Sequence, residues 1–254
     1  MPTVLDDAAA LGRRSGIVGW FHPYCRLFAK KLAACHWSPS GDVLPGSRWQ
    51  AFAPQMPFHQ RLFRQIARSV WSAESLVGAA ESEFQRARHL ERVTAMHQAA
   101  KAMVADPRLQ LVILHLSLPH LPGIYDARAK QPGPISTADY VGNLILADQS
   151  LGEYRNAIEN AGLGDSTALV VTADHVLRST WRETAFWNDA AETLVKQTSG
   201  TVPFFVRLPG QTEPAVVSRR FPALLARELT AKILSRELRS PAAVAGYLDR
   251  RATH

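Results

Sequence analysis

Two strand-like runs in the chain end in side chains that can do chemistry. Asp174 and His175 follow the apolar, β-favouring run Ala168-Leu-Val-Val-Thr172, and His120 closes Leu109-Gln-Leu-Val-Ile-Leu-His-Leu-Ser-Leu-Pro-His120. Both runs read as buried strands, and in open α/β sheets ligands bind at the carboxyl ends of strands. The expectation is that these two strand ends face one site. A carboxylate beside a neutral imidazole suits a borderline divalent cation, Zn²⁺ or Mn²⁺ rather than Ca²⁺. Asp174 and His175 are half of such a site, since Zn²⁺ takes at least three protein ligands. The competing reading is an Asp-His hydrogen bond at a strand end, or an Asp capping the next helix. Pro119-His120-Leu121-Pro122 fixes an imidazole in a rigid loop, where it can donate to an anionic oxygen or protonate a leaving group. Its alternative is a surface histidine in a turn. His115, inside the strand, reads as a core histidine. Arg178 is a candidate clamp for a phosphate or sulfate oxygen, against the plainer reading of a solvated loop arginine. Lys196 is a weaker candidate of the same kind.

Strands and helices must alternate to position these ends. Residues 3–11 read as a helix stopped by Gly12, and Ser15 to Trp20 as a short strand. A helix is expected from His22-Pro23 to about Ala34, followed by an irregular Pro/Gly/Ser-rich loop over 38–57. From Pro57 to about Ala105, apolar residues at helical spacing predict two amphipathic helices divided at Gly78, covering a sheet or forming a small subdomain. After the strand at Leu109–Leu116 comes a loop with four prolines. Ser136 is then the expected N-cap of a helix reaching Ala161 and closed by Gly162, with Val141, Leu144, Ile145, Leu151 and Ile158 inward. Residues 177–200 read as loop and helix, Val202–Leu208 as a strand, Pro214–Ser218 as a short strand, and Leu224–Leu238 and Pro241–Arg251 as helices. This alternation predicts an α/β fold with a largely parallel sheet.

At 254 residues the chain has ample length for a core. Its net charge of +7 favours anionic partners. The basic pairs Arg13-Arg14, Lys30-Lys31, Arg219-Arg220 and Arg250-Arg251 are scattered and accompany no nucleic-acid-binding motif, so nucleic acid is not expected as a partner. Cys25 and Cys35 match no zinc or redox spacing; they read as buried thiols, or as a disulfide in an oxidising compartment. No secretory signal and no membrane span of about 18–20 apolar residues is visible. Taken alone, the chain reads as soluble and cytoplasmic.

Taken together, the motifs form a recognisable order. His115-Leu-Ser-Leu-Pro-His-Leu-Pro122 is followed by Tyr140, Asp148 and Leu151-Gly152, then by Gly162-Leu-Gly-Asp165 leading to Ala173-Asp-His175, and finally by Val202-Pro-Phe-Phe-Val-Arg-Leu-Pro-Gly210. This resembles the C-terminal part of the catalytic domain in sulfatase-like hydrolases and transferases of the alkaline phosphatase superfamily. Ile17-Val-Gly-Trp-Phe-His-Pro-Tyr-Cys-Arg26 is similar to a segment of one membrane-associated bacterial branch. The resemblance covers nearly the whole chain. It implies an alkaline-phosphatase-like, mostly parallel sheet with helices on both faces, in a single partial domain over 1–254 with a helical insertion at about 57–105. It implies metal ligation by Asp174 and His175, contact of His120 with the ester or its leaving group, and a mostly structural Asp148. The substrate would be a phosphate or sulfate ester. The family attacks it with a metal-bound Thr, Ser or formylglycine. Relatives are often membrane-associated or extracytoplasmic.

Two departures qualify the resemblance. Only fifteen residues precede Gly16, and no Cys-x-Pro-x-Arg motif occurs, so the family's nucleophile and first acidic ligand have no counterpart in these residues. Val176 stands where a Gly usually follows the His. The expectation is an N-terminally truncated domain, either a gene fragment that is poorly soluble alone or half of a split enzyme completed by a second chain. The alternative is a non-catalytic remnant or partner-binding module of the same fold.

Overall fold

The structure, a computed structural model, describes residues 2–39, 74–176, 188–197 and 201–251. The expected loop at 40–57, the first part of the helical segment at 57–73 and Arg178 lie outside the described residues.

The fold is built on β1 (Ser15–Trp20). It pairs in parallel with β2 (Leu32–Ser38) on one side and β3 (Leu111–His115) on the other. Alternation along β1 sends Ile17 to one face and Val18 to the other. Ile17 packs with Leu5 and Ala8 of α1 (Val4–Ala10) and with Leu111. Val18 packs with Met96 and Ala100 of α3 (Glu74–Val104) and with Tyr154 of α4 (Tyr140–Asn160). Helices therefore cover both faces of this parallel sheet, as the buried apolar run of β1 requires.

A second unit of the core lies toward the C-terminus. β6 (Leu169–Thr172) pairs with β7 (Phe204–Arg207), and the pairing is antiparallel, with Val170 opposite Val206. Its apolar face meets Leu229 of α6 (Leu225–Leu234) and Val244, Tyr247 and Leu248 of α7 (Pro241–Arg251). The short α5 (Asp189–Gln197) precedes β7. The result is an α/β fold of mixed parallel and antiparallel pairing with flanking helices, where one mostly parallel sheet was expected. Among the described residues β6 hydrogen-bonds to β7 and not to β3. No helix among them is long and apolar enough to cross a membrane.

Several local expectations are corrected. Only Tyr24–Leu27 is helical after Pro23 (α2), and Leu32–Ser38 is strand rather than the end of a helix. The Ala-rich sequence favours helix locally, but a ladder to the buried β1 outweighs that small preference. Gly78 does not divide α3, because one glycine costs a helix only about 1 kcal/mol. The N-cap of α4 is Asp139, not Ser136, and its carboxylate accepts from the Gly142 backbone N–H at 2.6 Å. α4 buries Asn143 and Ser150, while Ile145 is exposed. Between β3 and α4 the chain forms a small hairpin of β4 (Tyr125–Asp126) and β5 (Gln131–Pro132). Pro214–Ser218 forms no strand.

The first turn of α4 sits directly on β4. A Cβ at Gly142 would lie 2.0 Å from the Tyr125 carbonyl oxygen, a backbone atom with nowhere to go. Gly142→Ala is therefore expected to destabilise the fold by about 2–3 kcal/mol in urea denaturation. A loss near zero would show that this helix start is not fixed against the hairpin.

Candidate functional site

The carboxyl ends of β1 and β3 lie side by side, because Gly19 is in register with His115. Beyond them, Trp20, Phe21 and His22 turn across the sheet end, and α2 brings Tyr24 back over β1. The Tyr24 ring occupies the place of a Gly19 side chain: a Cβ there would come within 2.1 Å of it. The Tyr24 hydroxyl thereby reaches His115 Nδ1 at 2.8 Å. A Cys25–Cys35 disulfide, with Cα atoms 5.6 Å apart, ties α2 to β2 next to this contact. The two cysteines are thus bonded rather than free thiols. His22 stacks on His115 at 6.4 Å, and Trp20 packs edge-on against His120 at 4.8 Å. His115 is half-buried in this cluster and not a member of the apolar core.

Asp174 faces the same cluster from the end of β6. Burial raises the Tyr24 phenol above its ordinary pKa, and the Asp174 carboxylate pushes it further. Burial lowers the His115 imidazole, His22 adds to that, and Asp174 and the Trp20 backbone oppose it. The ends of β3 and β6 thus act on one another electrostatically, although the strands share no ladder.

Asp174 and His175 sit at the open rim. The Asp174 side chain is 71% exposed and accepts from the His175 backbone N–H at 3.0 Å. His175 Nδ1 lies 2.6 Å from the Val176 carbonyl. A carbonyl only accepts, so Nδ1 carries a proton, and in the neutral tautomer Nε2 would present its lone pair. Asp174 Oδ2 is 3.6 Å from that Nε2. Two ligands of one tetrahedral Zn²⁺, each about 2.0–2.1 Å from it, stand roughly 3.4 Å apart. The donor pair, with its tautomer set by a backbone acceptor, fits two positions of a metal shell. Among the described residues no group of three or more His, Cys, Asp or Glu can hold a metal ion. Lys196 pairs with Glu192 along α5 at 3.9 Å.

The His120 loop is held from below by a residue that periodicity did not single out. Asn143 is fully buried. Its Oδ1 accepts from the Ile124 N–H at 2.9 Å, and its Nδ2 donates to the His120 and Pro122 carbonyls at 2.9 and 3.1 Å. One amide satisfies three backbone groups of a proline-rich loop that has no ladder of its own. Both X-Pro bonds flanking His120 and Leu121, Leu118–Pro119 and Leu121–Pro122, are cis. His120 Nδ1 donates to the Leu121 carbonyl at 2.6 Å. The only sequence signal for the clamp was a buried-side position of α4 occupied by an amide. Asn143→Leu leaves those groups without a partner in a dry site and is expected to cost about 2–4 kcal/mol by chemical denaturation. A cost below about 1 kcal/mol would mean water replaces the amide.

His89 of α3 lies behind the same loop, 1% exposed, with Arg92 Nη1 at 3.3 Å from its Nδ1. Burial, then the Arg92 charge, then His120, hold its pKa down at about 3, against a weaker opposing contact with the His120 backbone. In the unfolded chain the imidazole returns to about 6.5. Its contribution is thus fully present above pH 6.5 and is lost as pH falls toward 3, at up to about 1.4 kcal/mol per pH unit. Denaturation between pH 7.5 and 4.5 is expected to show this slope, reduced by about one proton in His89→Gln. Equal slopes for the two proteins would mean that His89 is protonated in the folded state.

No protein-family profile, no curated protein and no solved structure matches the chain.

Proposed function

We propose that the chain is part of a sulfatase-like catalytic domain, a metal-dependent hydrolase or transferase of phosphate or sulfate esters. The observation that carries this reading is that Asp174, at the end of β6, acts electrostatically on His115 at the end of β3 and on Tyr24 of α2, which is hydrogen-bonded to His115. Asp174 and His175 supply two ligands to a divalent cation, Zn²⁺ or Mn²⁺. When bound, such a cation neutralises the ester's equatorial oxygens and activates a nucleophile. His120, in its clamped loop, contacts the ester or hands a proton to its leaving group. Arg178 follows the pair closely enough in sequence to reach an ester oxygen.

The remaining ligand and the nucleophile come, in this reading, from a further segment or a second chain. The Asp174 side chain is exposed and leaves room for such a ligand. The disulfide favours an oxidising compartment. We therefore place the working protein outside the cytosol, in contrast to the expectation from the sequence taken alone. A second reading, a non-catalytic module of the same fold, is motivated by Val176, which stands where a Gly usually follows the His in the family the chain resembles.

Zinc content after dialysis separates these from an unrelated fold. The protein is expected to retain Zn²⁺, and Asp174→Ala and His175→Ala each to weaken it by at least about tenfold. Aryl phosphate or sulfate turnover that depends on His120 supports the enzyme. Metal retention with no turnover, even with the completing segment supplied, supports the module. Zinc retention unchanged in the double alanine variant would sink both.

A further inference from the structure

Phe21 breaks a backbone rule at the place where ligands bind. It has φ +69°, in the left-handed region. The His22 N–H closes a tight turn around it onto the Trp20 carbonyl at 2.8 Å. A turn of this kind with positive φ at its centre is rare and strained, and for a bulky aromatic residue it is a real outlier. Among the described residues the other non-glycine positions with positive φ, Lys130 and Arg236, sit in a hairpin turn and just past a helix end. Those are ordinary places for it.

Burial usually repays an aromatic residue in an awkward conformation. Phe21 is instead 55% exposed. Trp20 and His22 pack on it in T-shaped arrangements, with ring centroids at 6.0 Å and planes at 71°, and at 5.0 Å and 82°. These two neighbours hold the ring in place. Trp20 in turn touches His120. A strained, well-held and outward ring at the carboxyl end of the central strand points to function.

We propose that Phe21, with His22 beside it, is a subsite for a single six-membered ring, sugar or aryl, on the alcohol side of the ester. Aromatic faces receive such rings by stacking, and apolar surface with a few polar groups fixes their orientation. One ring offers area for one ring, which suits a monocyclic group better than an acyl chain. The proposal rests on the ester reading above for the anionic end, and on the Phe21 geometry for the ring end.

The test uses the whole protein with Zn²⁺ and three probes: phenyl phosphate, glucose 1-phosphate and methyl phosphate. Each is titrated calorimetrically into the native protein and into Phe21→Asn, since Asn accepts positive φ. The variant is expected to bind phenyl phosphate, glucose 1-phosphate or both at least about fivefold more weakly, with methyl phosphate changed by less than about twofold. Loss for the phenyl ester alone assigns an aryl group, and loss for the glucose ester alone a sugar. Its melting temperature is expected to be no lower than that of the native protein. Equal weakening of all three esters, or a melting temperature lower by more than about 5 °C, overturns the proposal by making Phe21 a packing residue. So does unchanged binding of both ring esters. Failure of the native protein to bind even methyl phosphate overturns the ester reading itself, and this subsite with it.

Discussion

The parallel pairing of β1 on both edges is the constraint on which the site depends. A strand with neighbours at either side and helices over either face has no freedom to slide. A shift of one residue would exchange Ile17 and Val18 between two different clusters. The same register fixes Gly19 opposite His115. The positions of Tyr24, Trp20 and His22 around that imidazole then follow from a few residues of connecting chain. The chemistry-bearing groups are close because the core leaves β1 only one register.

Strength in this arrangement comes from backbone groups being satisfied where no ladder reaches. The loop between β3 and β4 runs past the sheet end with Pro119 and Pro122 and few donors of its own. A single buried amide, Asn143, answers for three of its backbone groups. Asn143 is in turn placed by the first turn of α4, which Asp139 caps and Gly142 lets approach β4. The loop is therefore only as well defined as the helix start beneath it. That is why a helix N-terminus some twenty residues along the chain bears on the position of His120.

Much of this was legible in the residues. The runs Ser15–Trp20, Leu111–His115 and Leu169–Thr172 are apolar and β-favouring, and they are strands. Pro241–Arg251 is a helix with the limits its proline and arginines suggest. What was not legible depends on partners distant in sequence. Leu32–Ser38 has a helical composition and becomes strand because β1 offers an edge. Cys25 and Cys35 have an uninformative spacing and meet because a short turn lies between two parallel strands. Tyr24 and Asn143 belong to the site through contacts 91 and 19–23 residues away, which no local pattern encodes. Of the candidate site, Asp174, His175, His115 and His120 were visible as residues, but the role of His115 was not.

The charges of the cluster say what kind of ligand set would make it work. The chain carries a net +7, which draws anions toward it at long range. At the strand ends the balance is different. His115 is disfavoured as a cation by burial, and Asp174 places a carboxylate at the rim. In the proposed reading, an anionic ester would meet the exposed Asp174 carboxylate at this rim. A divalent cation held by Asp174 and His175 would, in the same reading, reverse that sign, because a bound ion is the largest local charge in such a site. By itself the exposed carboxylate opposes the attraction for anions that the net positive charge provides.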